Sequence, residues 1–170
     1  MRNVCGMAAL ALLFACGGGK AARPGGALET TPSWLAEGSG AIKADGGKRL
    51  QGVGVASGAA HPQQRRRAAD EAAREQLQTG VDALAQALAK LSESKQADVG
   101  ETVKTLARRA ASQVAGIRDH WVTPDGDERA LAVVDLDAFR RALQGVEGDE
   151  KIKGEMMTNA ERAFEQIAAR

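Results

Sequence analysis

Apolar positions change their spacing along the chain, and each change marks an element. Ala41-Ile42-Lys43-Ala44 and Leu50-Gln51-Gly52-Val53-Gly54-Val55-Ala56 are short runs on either side of Gly46-Gly47, the signature of a β-hairpin. In the second run Val53 and Val55 alternate with Gly52 and Gly54. One face of that strand therefore carries β-branched bulk and the other almost nothing, which lets a helix approach closely. From about Pro62 to Ser92 the spacing becomes helical, with Ala69, Ala73, Leu77, Val81, Leu84, Leu88 and Leu91 recurring at steps of three and four. Pro62 suits a first helical turn. The upper half of this stripe is alanine and the lower half leucine, so the alanine end fits tightly against the glycine face. A second helix is predicted from about Asp98 to Val114, in phase through Val99, Val103, Leu106 and Ala110.

Extended runs return over Ala115 to Val122 and Arg129 to Leu136, on either side of Pro124-Asp125-Gly126-Asp127, predicting a second hairpin. Its later run is apolar on both faces and belongs inside the sheet rather than at an edge. Asp137 is the expected cap of a third helix, Ala138 to Leu143, that buries Phe139 and Leu143. After Gly145 to Gly148, a stripe of Ile152, Met156, Ala160, Ala163 and Ile167 predicts a terminal helix, which either packs back on the domain or offers its stripe to a partner. The predicted class is α+β: a small antiparallel sheet from two hairpins packed on a long helix and a helical hairpin, in the order β-β-α-α-β-β-α plus the C-terminal helix.

The first residues read differently. Met1-Arg2 precedes an apolar run from Val4 to Phe14, followed by Leu13-Phe14-Ala15-Cys16-Gly17-Gly18-Gly19. An apolar stretch of about 11 residues behind a positive charge suits export and is too short to span about 30 Å of hydrocarbon. With Leu13 three places before Cys16 and the small Ala15 just before it, the segment resembles the lipobox of bacterial lipoproteins. In those proteins the thiol is acylated and the cysteine becomes the first residue. Gly17, rather than an acidic residue, implies sorting to the outer membrane by that resemblance. Residues 1–15 are thus expected to be a signal peptide and 16–31 a glycine-rich, lipidated tether that cannot offset its own ordering entropy. An α+β domain is expected over 32–146 and an amphipathic helix over 147–170.

Removing the signal changes what the composition allows. The whole chain holds 23 basic and 22 acidic side chains; without Arg2 the two are equal, and a formally neutral chain has no electrostatic footprint for nucleic acid. Cys5 leaves with the signal and Cys16 carries lipid, so neither a disulfide nor a cysteine zinc site is expected. His61 and His120 are too few for a histidine metal cluster.

Pro-Ser-Trp-Leu at 32–35, the strand from Leu50 to Ser57, the helix start Gln64-Arg65-Arg66-Arg67-Ala68-Ala69-Asp70-Glu71-Ala72-Ala73-Arg74, and Trp121 to Leu136 together resemble the Lpp-twenty lipoprotein family. These are bacterial envelope lipoproteins of about twenty kilodaltons, related to the first domain of the flagellar assembly protein T. The resemblance covers roughly residues 32–146. Arg129-Ala130 stand where an aromatic is expected, and the chain has no tyrosine. The resemblance implies a compact α+β domain on a lipid anchor, placement in the periplasm or at the surface, and links to envelope or motility structures. It supplies no catalytic residues.

The remaining motifs carry little chemistry. Gly52, Gly54 and Gly58 follow GxGxxxG rather than a dinucleotide fingerprint, so no cofactor is expected. Ser92-Glu93-Ser94-Lys95 matches the SxxK of penicillin-recognising enzymes in a chain too short for that fold. Asp125, Asp127 and Glu128 lack the glycine and further ligand of a calcium loop, so no metal is expected. Asp119-His120-Trp121 is the one local acid–base cluster, but neighbours on a strand point to opposite faces. Ser57 lacks a nucleophile-elbow pattern. Arg65, Arg66 and Arg67 are a solvated face or a contact for an anionic surface, and Trp34 and Trp121 are core anchors or sugar platforms. The reading that results is a lipid-anchored outer-membrane protein, non-catalytic, engaging another envelope protein. The alternative is a peptidoglycan or glycan-binding module, with a small hydrolase third.

Overall fold

The computed structural model of the chain describes residues 31–169 except 45–46, 59–60 and 93–95. Cys16, the predicted signal and all but the last residue of the predicted tether lie outside the described residues. The elements run α1 (Ser33–Glu37), β1 (Gly40–Ala44), β2 (Gly47–Ala56), α2 (Pro62–Leu91), α3 (Ala97–Val114), β3 (Gly116–Val122), β4 (Glu128–Asp135), α4 (Leu136–Gly145) and α5 (Glu150–Ala168). The four strands form one antiparallel sheet in the order β1-β2-β4-β3, so the fold is α+β and each predicted hairpin pairs with itself. β4, apolar on both faces, is central, as its composition requires.

The registers sort the side chains into two faces. Gly52 lies opposite Ala132 and Gly54 opposite Ala130, so this side of the two central strands is nearly bare. α2 takes advantage of it. A Cβ on Gly54 would fall 2.0 Å from the Ala69 carbonyl oxygen, and one on Gly52 2.2 Å from that of Ala73. The helix backbone therefore rests directly on the sheet at its alanine end. Farther along, Leu77, Val81, Leu84 and Leu88 fill the widening gap and meet Val103, Leu106, Phe139 and Leu143 from α3 and α4 in one core.

α5 belongs to that core. Met156, Ala160, Ala163 and Phe164 are buried in it, while Ile152 and Ile167 are only partly covered, so the buried stripe is rotated from the predicted one toward Phe164. Lys153 is buried too, and its ammonium donates to the carbonyls of Val146 at 3.0 Å and Gln144 at 3.3 Å and pairs with Glu150 at 2.7 Å. This satisfies the exposed carbonyls where α4 ends. On the other flank Lys43 pairs with Glu165, and Lys48 with both Glu161 and Glu165, clasping the first hairpin to α5.

One expectation needs correction, and one element is additional to those predicted. Asp137 is not the cap of α4: the strand runs straight into the helix, Asp135 occupies the cap position without bonding the helix, and Asp137 sits in the first turn. The Asp135 carboxylate accepts from Arg118 at 2.7 Å instead. Ser33–Glu37 is a helical turn, although its apolar content is too short to show a period.

Candidate functional site

Two places bring polar and aromatic side chains together, one on each face of the sheet, and β3 supplies both. Alternation along β3 puts Asp119 and Trp121 on one side and His120 on the other. On the helix side, His120 Nε2 lies 2.6 Å from Asp70 Oδ1, and Arg66 Nη2 lies 2.9 Å from His120 Nδ1. Arg66 can only donate, so Nδ1 accepts and the ring proton sits on Nε2, donated to Asp70. Both ring nitrogens are thereby occupied. The cluster ties the first turns of α2 to an edge strand.

The Asp119 carboxylate and the His120 imidazole lie on opposite faces of β3, and from His120 the carboxylate accepts only the backbone N–H, at 2.8 Å. Ser57 is exposed at the end of β2. Ser92 is buried at the end of α2, and Lys95 lies outside the described residues. The space where Gly52 and Gly54 would cradle a phosphate is taken by the backbone of α2. Asp125 is exposed in the second hairpin's turn, whereas Glu128 is already in β4 and buried. Among the described residues no three His, Cys, Asp or Glu side chains converge as metal ligands. Of the three arginines, Arg66 is committed to His120, Arg65 is partly buried, and Arg67 is exposed. Consecutive residues diverge by about 100° around a helix, so the triplet does not form one flat cationic patch.

On the outer face, Trp34 of α1 lies against Leu131 and Val133, flanked by Leu35, Val53 and Trp121. Its indole Nε1–H donates to Asp119 Oδ2 at 2.9 Å. The end of α1 is fixed by Gln51, fully buried, whose amide donates to the Gly38 carbonyl at 2.5 Å, and by Arg49, which pairs with Glu37 at 2.8 Å. α1 covers only part of the sheet. Beyond it Val55, Arg129 and Trp121 stand in one row across β2, β4 and β3. Val55 is 43% exposed, Trp121 is half-buried, and Arg129 has a buried Nε with no partner among the described residues.

Sequence reasoning missed two of these residues. Asp70 stands one helical turn after Arg66, which puts both on the side of α2 that His120 meets. Reading the parity of β3 together with the phase of α2 would have found that trio. Arg129 carries no signal of its own in the sequence, since its neighbours across the sheet are set only by register. No family model matches the chain, and no curated protein matches it significantly.

Proposed function

We propose that this chain is a lipid-anchored bacterial envelope protein whose α+β domain works by engaging another envelope protein and not by catalysis. The observation that carries the reading is the Leu13-Phe14-Ala15-Cys16 segment behind a short apolar run, followed by a glycine-rich stretch that ends where the described domain begins at Thr31. The motif resemblance to the Lpp-twenty lipoproteins supports the same placement at the outer membrane. No helix among the described residues is long and apolar enough to cross a membrane, so in this reading attachment rests on the lipid of Cys16. Support for a non-catalytic role comes from His120, whose two nitrogens are both occupied.

The contact face in this proposal is the uncovered row Val55, Arg129 and Trp121. A partner presenting an apolar side chain beside a carboxylate would cover Val55 and Trp121 and offset the Arg129 charge between them. Trp121 also favours the second reading, a glycan-binding module, because a half-exposed indole next to a cation suits an acidic sugar. Trp34, buried under its bond to Asp119, gives that reading no support.

The anchor is tested by mass analysis of the mature protein with and without Cys16→Ala. The unsubstituted protein should begin at an acylated Cys16, and the variant should lose the acyl mass and the membrane fraction. An unmodified chain cut elsewhere would sink the anchor. Saturable binding to purified cell wall that Trp121→Ala abolishes would replace the protein partner with a glycan.

A further inference from the structure

Where α2 passes over the start of β3, the helical layer leaves an open cleft of about 280 Å3. Leu77 and Val81 of α2 and Ala132 of β4 form its apolar part. Across from α2 stand Ala111, Ala115 and Gly116, with one side-chain carbon or none, so the gap stays unfilled at the very place where α3 hands over to β3. The size is just below the roughly 300–1,000 Å3 of small-molecule sites, which suits a small ligand.

The polar groups of the cleft are one-sided in charge. Arg74, Gln78 and Ser112 line it, and no carboxylate does. The Arg74 guanidinium makes no hydrogen bond or ion pair among the described residues, although Glu71 and Glu75 lie on the same helix. Asp70, one turn before it, is taken by His120. Ser112 donates its hydroxyl proton to the Arg109 carbonyl at 2.8 Å, which leaves its oxygen able to accept.

We propose that this cleft binds a small amphipathic carboxylate, with the apolar body against Leu77 and Val81 and the carboxylate on the Arg74 guanidinium. A charge-assisted bond to an arginine is among the stronger contacts a small ligand can make, and the apolar surface supplies the rest. Two sources share this chemistry: a short fatty acid, and the carboxyl end of a small apolar acyl-amino acid. The site is independent of the lipid anchor and of any protein partner, so it stands or falls separately from the proposed function.

The test is a titration of the isotope-labelled full-length mature chain with sodium hexanoate, with N-acetyl-leucine, and with hexanol as the uncharged control, followed by amide shifts. Saturable shifts at Leu77, Val81 and Ala132 are expected with at least one of the carboxylates, and the stronger binder identifies the source. Hexanol should bind about tenfold more weakly, a difference of about 1.4 kcal/mol. Arg74→Gln, an exposed substitution that leaves the core intact, should reduce carboxylate affinity to the level of hexanol. Ser112→Leu, at the rim, should block all three. The proposal is overturned if neither carboxylate gives saturable shifts at those residues, or if Arg74→Gln binds both as tightly as the unsubstituted protein.

Discussion

The two faces of the sheet are closed in opposite ways. On the helix face, Gly52, Gly54, Ala130 and Ala132 offer almost no side chain, and a thirty-residue helix lays its backbone straight onto them. On the outer face a five-residue helix reaches over with one indole, and Trp34 is buried against Leu131 and Val133. The first arrangement has no slack, because the contact is between two backbones. The second leaves a row of the sheet bare. Stability is thus concentrated on one face, and the other keeps surface available for contact.

The contrast is sharpest at its tightest point. Gly54→Val should cost more than about 4 kcal/mol, or prevent folding, since its Cβ would meet the Ala69 carbonyl oxygen at 2.0 Å and the Ala73 nitrogen at 2.3 Å. Gly154→Ala in α5, where an added Cβ meets nothing within 4 Å, should gain about 0.5–1 kcal/mol. Urea unfolding of the pair measures both; equal effects would remove the claim of backbone contact. On the outer face, Trp34→Ala should cost about 3 kcal/mol while far-ultraviolet circular dichroism keeps its helical signal. Trp34→Phe should cost about 1 kcal/mol, mainly the lost bond to Asp119. A loss from Trp34→Ala as large as that from Gly54→Val would mean that the outer face is no secondary element of stability.

The smallest expected effect is that of the exposed clasp between the first hairpin and α5. Hydrogen bonds from Lys48 and Lys43 hold the Glu161 and Glu165 carboxyls below the ordinary value of 4.5, and the same two glutamates raise the Lys48 ammonium above 10.5. Lowered carboxylates stabilise the fold above their unfolded-state value, and that contribution disappears as pH falls through the lower folded-state values. The raised ammonium contributes fully below 10.5 and stops doing so as pH rises beyond it. The acid-side loss should therefore be small, and smaller still in high salt. Lys48→Gln should flatten it, as followed by thermal unfolding against pH; an undiminished acid-side slope in that variant would assign it to other carboxylates.

Periodicity carried most of this architecture. The α2 stripe, the bare glycine face and the doubly apolar β4 were all legible because each rests on spacing within one segment. α1 was not, since a five-residue helix has no period to show and is held by Arg49 and Gln51 of β2 and Asp119 of β3. The Asp137 cap failed because β4 enters α4 with no intervening loop. Asp70 escaped notice for a related reason: its role depends on how α2 is placed over β3, a tertiary fact. The separation of Asp119 from His120, by contrast, followed from strand alternation alone. Cys16 remains a reading of the sequence.

The most direct test is site-specific photocrosslinking in living cells, with the probe at Val55 on the bare row and, as control, at the exposed Gln76 of α2. A single envelope-protein adduct is expected from Val55, none from Gln76, and loss of the Val55 adduct in Arg129→Glu. No adduct from Val55, or the same adducts from both positions, would contradict the account.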